Sequence, residues 1–301
     1  MFKMFRPLNG LFEPSAIQQL TDGRFVVVED EKDHPLSLLT IEGDGILKEA
    51  LFPADDAVAT TLGALADLEG LSADARGNVY AVTSHSRTSK GEEKRSREKL
   101  VRFRVEGNCI TAAHTITNLK AALTTAYPVL AEAAAVVEVK AQQGLNIEAL
   151  EMAPDGRRLY IGFRGPLWQE RALLAALDNP DAAFAGEEPL RLAANLVTLD
   201  LDGQGLRSMA WVAALGGYLM VSGPVAREGE AFRLWFWAGP GEAAARPVGI
   251  DGLSGLAHCE GIATAAIGGR TGLILVSDDG DRDAGRPASF AWLEFSQIRI
   301  G

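Results

Sequence analysis

One design recurs along this chain and constrains its fold more than any single residue does. Four passages share it: FEPSAIQQLTDGRFVVVEDE from Phe12, LEGLSADARGNVYAVTSHSR from Leu68, IEALEMAPDGRRLYIGFR from Ile147 and CEGIATAAIGGRTGLILVSDDG from Cys259. Each opens on a glutamate followed by a small residue or proline: Glu13, Glu69, Glu148 and Glu260. A glycine turn follows, eight residues on at Gly77, Gly156 and Gly268 and ten on at Gly23. A β-rich run then ends in polar residues. A fifth, weaker copy begins at Leu206 (LRSMAWVAALGGYLMVSGP) and has Arg207 where the others have glutamate.

Each unit reads as a β-hairpin. Alternation in VYAVT or LYIGF suits a pleated strand with one buried face, and Asp-Gly, Arg-Gly or Gly-Gly supplies the positive φ of a tight turn. One or two further strand-like runs follow each hairpin, and three to four short strands per repeat is the signature of propeller blades. A β-sandwich competes, but it does not need a polar residue at one fixed place in every unit. The expected fold is all-β: a β-propeller of five or six blades, residues 1–301 forming one domain, with the N-terminal MFKMF pairing beside the C-terminal FAWLEFSQIRI to close the ring. Helical insertions interrupt the repeat at Ala112–Gly144, which is Ala-rich with a break at Pro128, and at Gly165–Leu192, read as a short amphipathic helix followed by Asn-Pro and a loop. Trp235, Phe236 and Trp237 alternate like a strand between blades.

Composition narrows the function. The 29 Lys+Arg against 40 Asp+Glu give a net charge of −11, which disfavours a phosphate-tracking nucleic-acid binder and adsorption to an anionic membrane. No apolar stretch has the length of a signal-peptide core or a membrane span. The two cysteines, Cys109 and Cys259, lie far apart with no CxxC spacing, so two buried reduced thiols in a cytoplasmic protein are expected.

Innermost strands of a propeller converge on its axis, so Glu13, Glu69, Glu148 and Glu260 should ring one mouth of the channel. The residue closing each hairpin returns beside the one opening it. Glu148 should face Arg164, Glu69 should sit near Ser84 and His85, Glu13 near Asp30 or Glu31, and Glu260 near Asp278 or Asp279. Two readings stand. Hard carboxylate oxygens from several elements suit Ca²⁺; alternatively the ring is structural, neutralised by Arg87, Arg164, Arg207 and Arg282. The basic run Ser84–Lys99 reads as a grip on an anionic small molecule or as a solvated charged loop. Asp278–Pro287 lacks the glycine and closing glutamate of an EF-hand and reads as an Asp-capped turn. HExxH, GxSxG, P-loop and dinucleotide-binding patterns are missing. His34 and His85 fall in rim loops, and His85 is the one candidate general base.

Through these segments the sequence resembles an uncharacterised bacterial family of propeller type and, more distantly, esterase-like phytase propellers and calcium-dependent lactonases. That resemblance implies a divalent cation in the channel and an ester, phosphoester or lactone substrate. Lactonase-type channels use a mixed Glu/Asn/Asp set, for which Asn146 is the nearest asparagine here; Arg207 departs from the pattern and would weaken a cation site. Two functions follow. One is a metal-assisted hydrolase, with Glu13, Glu69, Glu148 and Glu260 holding Ca²⁺, Arg87, Arg164 and Arg282 steadying an anionic substrate and His85 as base. The other is a binding propeller whose glutamates are purely structural.

Overall fold

Five antiparallel sheets are arranged around one axis. A computed structural model describes residues 5–30, 35–41, 47–51, 55–137, 143–225, 231–241, 244–253, 255–256 and 258–301. His34, Glu31 and most of MFKMF lie outside the described residues. The innermost strands of the five sheets are Pro14–Gln19, Leu68–Ala73, Asn146–Met152, Gly205–Val212 and Cys259–Ile267. Each packs against the next, and the fifth returns to the first. The fold is a five-bladed β-propeller, without the sixth blade that the sequence left open.

The second strand is buried along its whole length in four hairpins (Phe25–Glu29, Val79–Thr83, Leu159–Gly165 and Gly217–Gly223), and in the fifth, Arg270–Ser277, from Gly272 onward. This corrects the one-buried-face reading. A blade is covered on both faces by its neighbours, so both sets of alternating side chains are apolar. The core is accordingly divided among the blade interfaces. Tyr160, Tyr218, Trp235 and Trp237 fill the space between the third and fourth blades, while Phe236 turns the other way to join Ile262, Leu273 and Leu293 between the fourth and fifth. The Trp235–Trp237 alternation is thus blade-to-blade core, as expected.

Both ends of the chain take part in closure. Arg6–Pro7 pairs with Ser289–Glu294 as the outermost strand of the fifth blade. Ile298–Ile300 instead crosses to pair with Arg246–Ile250 of the fourth. The N-terminal segment thus pairs beside FAWLEF as expected, through Arg6 and Pro7 directly after MFKMF, while the last residues latch the adjacent fourth blade as well.

The Ala-rich insertion forms two helices, Leu119–Ala126 and Pro128–Ala135, and Pro128 starts the second where its missing N–H costs nothing. Their buried Leu119, Leu123 and Leu130 cover the interface of the second and third blades. The second insertion differs from expectation. Ala172–Leu177 is a fully buried strand, and the helix falls after Asn-Pro, at Pro180–Ala185. A Leu/Ala run apolar on both faces fits a doubly covered strand as well as a helix, and neighbouring blades decide the outcome. Of the cysteines, Cys259 is buried but Cys109 is exposed on an outer strand. No helix among the described residues is long and apolar enough to cross a membrane.

Candidate functional site

Every innermost strand carries a β-bulge at the same level. The register skips Ser15 in the first blade, Glu69 in the second, Glu148 in the third, Arg207 in the fourth and Glu260 in the fifth. An extra residue at a bulge is unpaired and re-aims its side chain, and here all five are set at one end of the central channel. The residue after each is small (Ala16, Gly70, Ala149, Ser208 and Gly261) because the next blade approaches there. A Cβ on Gly261 would lie 2.9 Å from the Cα of Ala16, and one on Gly70 would lie 2.9 Å from the Cβ of Leu150.

This register places Glu13 differently from the other three glutamates. It lies two residues before its bulge, exposed, at the level of Asp67, Asn146, Gly205 and His258. Ser15 holds the ring position. The eight-residue spacing to glycine that locates Glu69, Glu148 and Glu260 falls on Ser15 when counted back from Gly23, so the signal was present in the sequence.

Arg207 dominates the ring. Its Nη1 lies 3.0 Å from Glu148 Oε2 and 2.9 Å from Glu260 Oε1. Nη2 donates to the carbonyl of Pro224 at 3.0 Å, and the guanidinium lies over the Phe232 ring, 5.1 Å from its centroid. Glu148 also accepts from Arg164 Nη1 at 3.1 Å and from Asn146 Nδ2 at 2.8 Å, so the Glu148–Arg164 pair forms as the hairpin geometry requires. Glu69 differs: its carboxyl has no hydrogen-bond or ion-pair partner among the described residues. Burial, then the charge of Glu148, pushes it well above the usual carboxylate range. Glu260 is pushed up to about 7, burial outweighing the opposing pull of Arg207.

A second cluster lies beside the ring. Asp67, held at φ 62° in the left-handed region, pairs with Arg97 Nη2 at 2.8 Å and accepts from the Ser84 and Ser86 hydroxyls. Such a conformation in a non-glycine residue stores strain that its neighbours must hold. Asp30, although its side chain reaches solvent, is surrounded by enough protein that its carboxyl is pushed up to about 8, loss of water acting first and Asp67 second. Asp278, likewise open to solvent yet surrounded by protein, is pushed up to about 6 by loss of water, then by Glu13. Seven carboxyl groups (Glu13, Asp30, Asp67, Glu69, Glu148, Glu260 and Asp278) thus meet three guanidinium groups (Arg97, Arg164 and Arg207) at one mouth.

Other expected site residues are placed elsewhere. His85 is fully buried, with Nδ1 bonded to the Thr83 carbonyl at 2.8 Å; burial lowers its pKa to about 4, which removes it as a base facing substrate. Arg87 donates to the carbonyls of Ala134 and Gly91 and pairs with Glu93, anchoring the helical insertion. Arg282 lies over the Phe12 ring at 4.4 Å. The basic run is an ordered loop whose Arg97 and Lys99 bond to Asp67 and the Leu62 carbonyl. The Asp278–Pro287 segment is the expected Asp-capped turn, with Ala284 N donating to Asp281. Glu13, Glu69, Glu148 and Glu260 do not gather as cation ligands: no three carboxylate, imidazole or thiol groups converge at metal-ligating distances among the described residues. The donor set does not fit a divalent ion held by Glu148 and Glu260, because a guanidinium already joins them.

The sequence profile of the phytase-like family, described as "Esterase-like activity of phytase", matches residues 7–213, more than half of the chain. The chain belongs to the phytase-like family. No curated protein matches it. Among solved structures, a GH43_1 enzyme from Xanthomonas citri shares its fold at 11% identity and TM-score 0.54, over 99% of this chain and 92% of that one. A gluconolactonase from Xanthomonas campestris is similar at 13% identity and TM-score 0.45, over 98% of this chain and 85% of that one. The PQQ-bound aldose sugar dehydrogenase of Streptomyces coelicolor is similar at 16% identity and TM-score 0.44, over 98% of each chain.

Proposed function

We propose that this phytase-like propeller is a hydrolase of small uncharged esters or lactones, acting at the acidic channel mouth through its own carboxyl groups. The observation that carries this reading is Glu69: a carboxyl without a partner among the described residues, on a bulge at the channel mouth, that burial and its neighbours favour in the protonated form. A carboxylic acid kept protonated beside ionised groups is suited to general-acid catalysis. Glu260, titrating at about 7, is poised as the base. Water attacks the carbonyl carbon as Glu260 takes its proton. The C–O bond to the leaving alcohol then breaks as Glu69 protonates the departing oxygen.

An anionic substrate fits this mouth less well. Arg87 and Arg282 are engaged elsewhere, and Arg164 and Arg207 are paired with glutamate. A panel of neutral esters and lactones beside phosphoesters, each assayed with and without EGTA, tests the proposal. Turnover of neutral substrates that EGTA leaves unchanged is expected, with Glu69→Gln lowering kcat about 10²–10⁴-fold. Turnover confined to phosphoesters, or lost with EGTA, overturns it. The satisfied pairs of Glu148 and Glu260 favour a second reading, a binding propeller. Under that reading no substrate turns over and Glu69→Gln changes only stability.

A further inference from the structure

We propose that Arg207 is the resident cation of this channel and closes a latent divalent-ion site, which opens when its charge is removed. In four blades the bulge carries a neutral hydroxyl or a carboxyl; only the fourth supplies a positive group. Arg207 Nη1 stands 2.9 Å from Glu260 Oε1 and 3.0 Å from Glu148 Oε2. Calcium binds oxygen at about 2.3–2.6 Å, so the two carboxylates need to close by only a few tenths of an ångström to hold an ion in place of Nη1. Further oxygen donors are at hand. Asn146 Oδ1 is buried without a hydrogen-bond partner, its amide nitrogen already bonded to Glu148. Glu69, on the adjacent bulge and without a partner among the described residues, does not stand at ligating distance with the other two carboxylates and would have to swing in.

The side chain is held as a structural cation would be. It is 5% exposed, its Nη2 is fixed to the Pro224 carbonyl, and Phe232 covers its face. Gly223 leaves it room: a Cβ there would lie 2.9 Å from Arg207 Nε. The inference is independent of the hydrolytic reading, since its readout is ion binding rather than turnover.

Calcium titration by calorimetry, with melting temperature followed in parallel, tests it on the full chain. The wild-type protein is expected to show no saturable calcium binding. Arg207→Ser, which places in the fourth blade the residue the first blade has, is expected to bind one ion with a dissociation constant of about 10⁻⁴ M or tighter and to melt higher with calcium. Adding Glu148→Gln should abolish that binding. Arg207→Gln keeps a donor for the Pro224 carbonyl and serves if the serine variant folds poorly; folding of either variant only in calcium also supports the proposal. Saturable calcium binding by the wild type, a folded variant that binds none, or failure of both variants to fold with calcium present overturns it.

Discussion

Glu69, Glu148 and Glu260 carry the same side chain at the same bulge, yet each is in a different electrostatic state. Glu148 is enclosed by two guanidinium groups, Glu260 shares one of them, and Glu69 has none among the described residues. Under the hydrolytic proposal the rate should fall as pH drops below about 7, where Glu260 protonates; a kcat–pH profile checks this, and Glu260→Gln should leave only a low residual rate that lacks the limb. Glu151, outside the ring, makes a separate prediction. It accepts from Trp211 N at 2.7 Å and Ser72 Oγ at 2.8 Å, bridging three blades, and burial pushes its carboxyl up to about 7. The folded state keeps a proton that the unfolded chain releases above about 4.5, so this stabilising contribution is present in acid and lost as pH rises through 7. Glu151→Gln should therefore narrow the fall in melting temperature between pH 5 and pH 8. His85 acts in the opposite sense: its stabilising contribution is lost as pH falls from 6.5 towards 4.

At the scale of the element, the motif of a charged residue followed by a small one has two separate causes. The charged residue is re-aimed by the bulge; the small one marks the close approach of the neighbouring inner strand. Gly261→Val should destabilise the fold by about 1–3 kcal/mol, measurable by urea unfolding, because its Cβ would meet the Val276 side chain and, behind any shift of that valine, the Ala16 and Ile17 backbone of the first blade. The hairpins and the helix break at Pro128 were legible because glycine and proline set backbone conformation locally. The Ala172–Leu177 strand was not, since a short apolar run takes whichever form its neighbours cover on both faces. Glu13 stands off the ring for a related reason: the eight-residue spacing to glycine, and not the glutamate itself, marks the bulge, and in the first blade it falls on Ser15.

Across the whole molecule, closure depends on both chain ends. Ile298–Ile300 caps the outer edge of the fourth blade and adds Ile298 and Ile300 to the core between the fourth and fifth. Deleting residues 298–301 should lower the melting temperature by several degrees, at about 2–4 °C per kcal/mol for a large domain. It should leave the distant channel mouth unchanged, so calorimetry and an activity assay together check the prediction. The net charge of −11 is not spread evenly either: seven carboxyl groups share one mouth with three guanidinium groups, and the protons held by Asp30 and Glu69 bring that mouth closer to neutrality.

By itself the sequence determined the repeat, the hairpins and the identity of three ring glutamates, because turn chemistry and strand propensity act over a few residues. The tertiary structure alone decided that these positions are bulges turned to one channel mouth, that Arg207 joins Glu148 to Glu260, that Glu69 is left without a partner among the described residues, and that His85 is buried away from solvent. Those outcomes depend on the register between strands and on contacts between blades, where side chains 50 or more residues apart in the chain meet in a space from which most water is excluded.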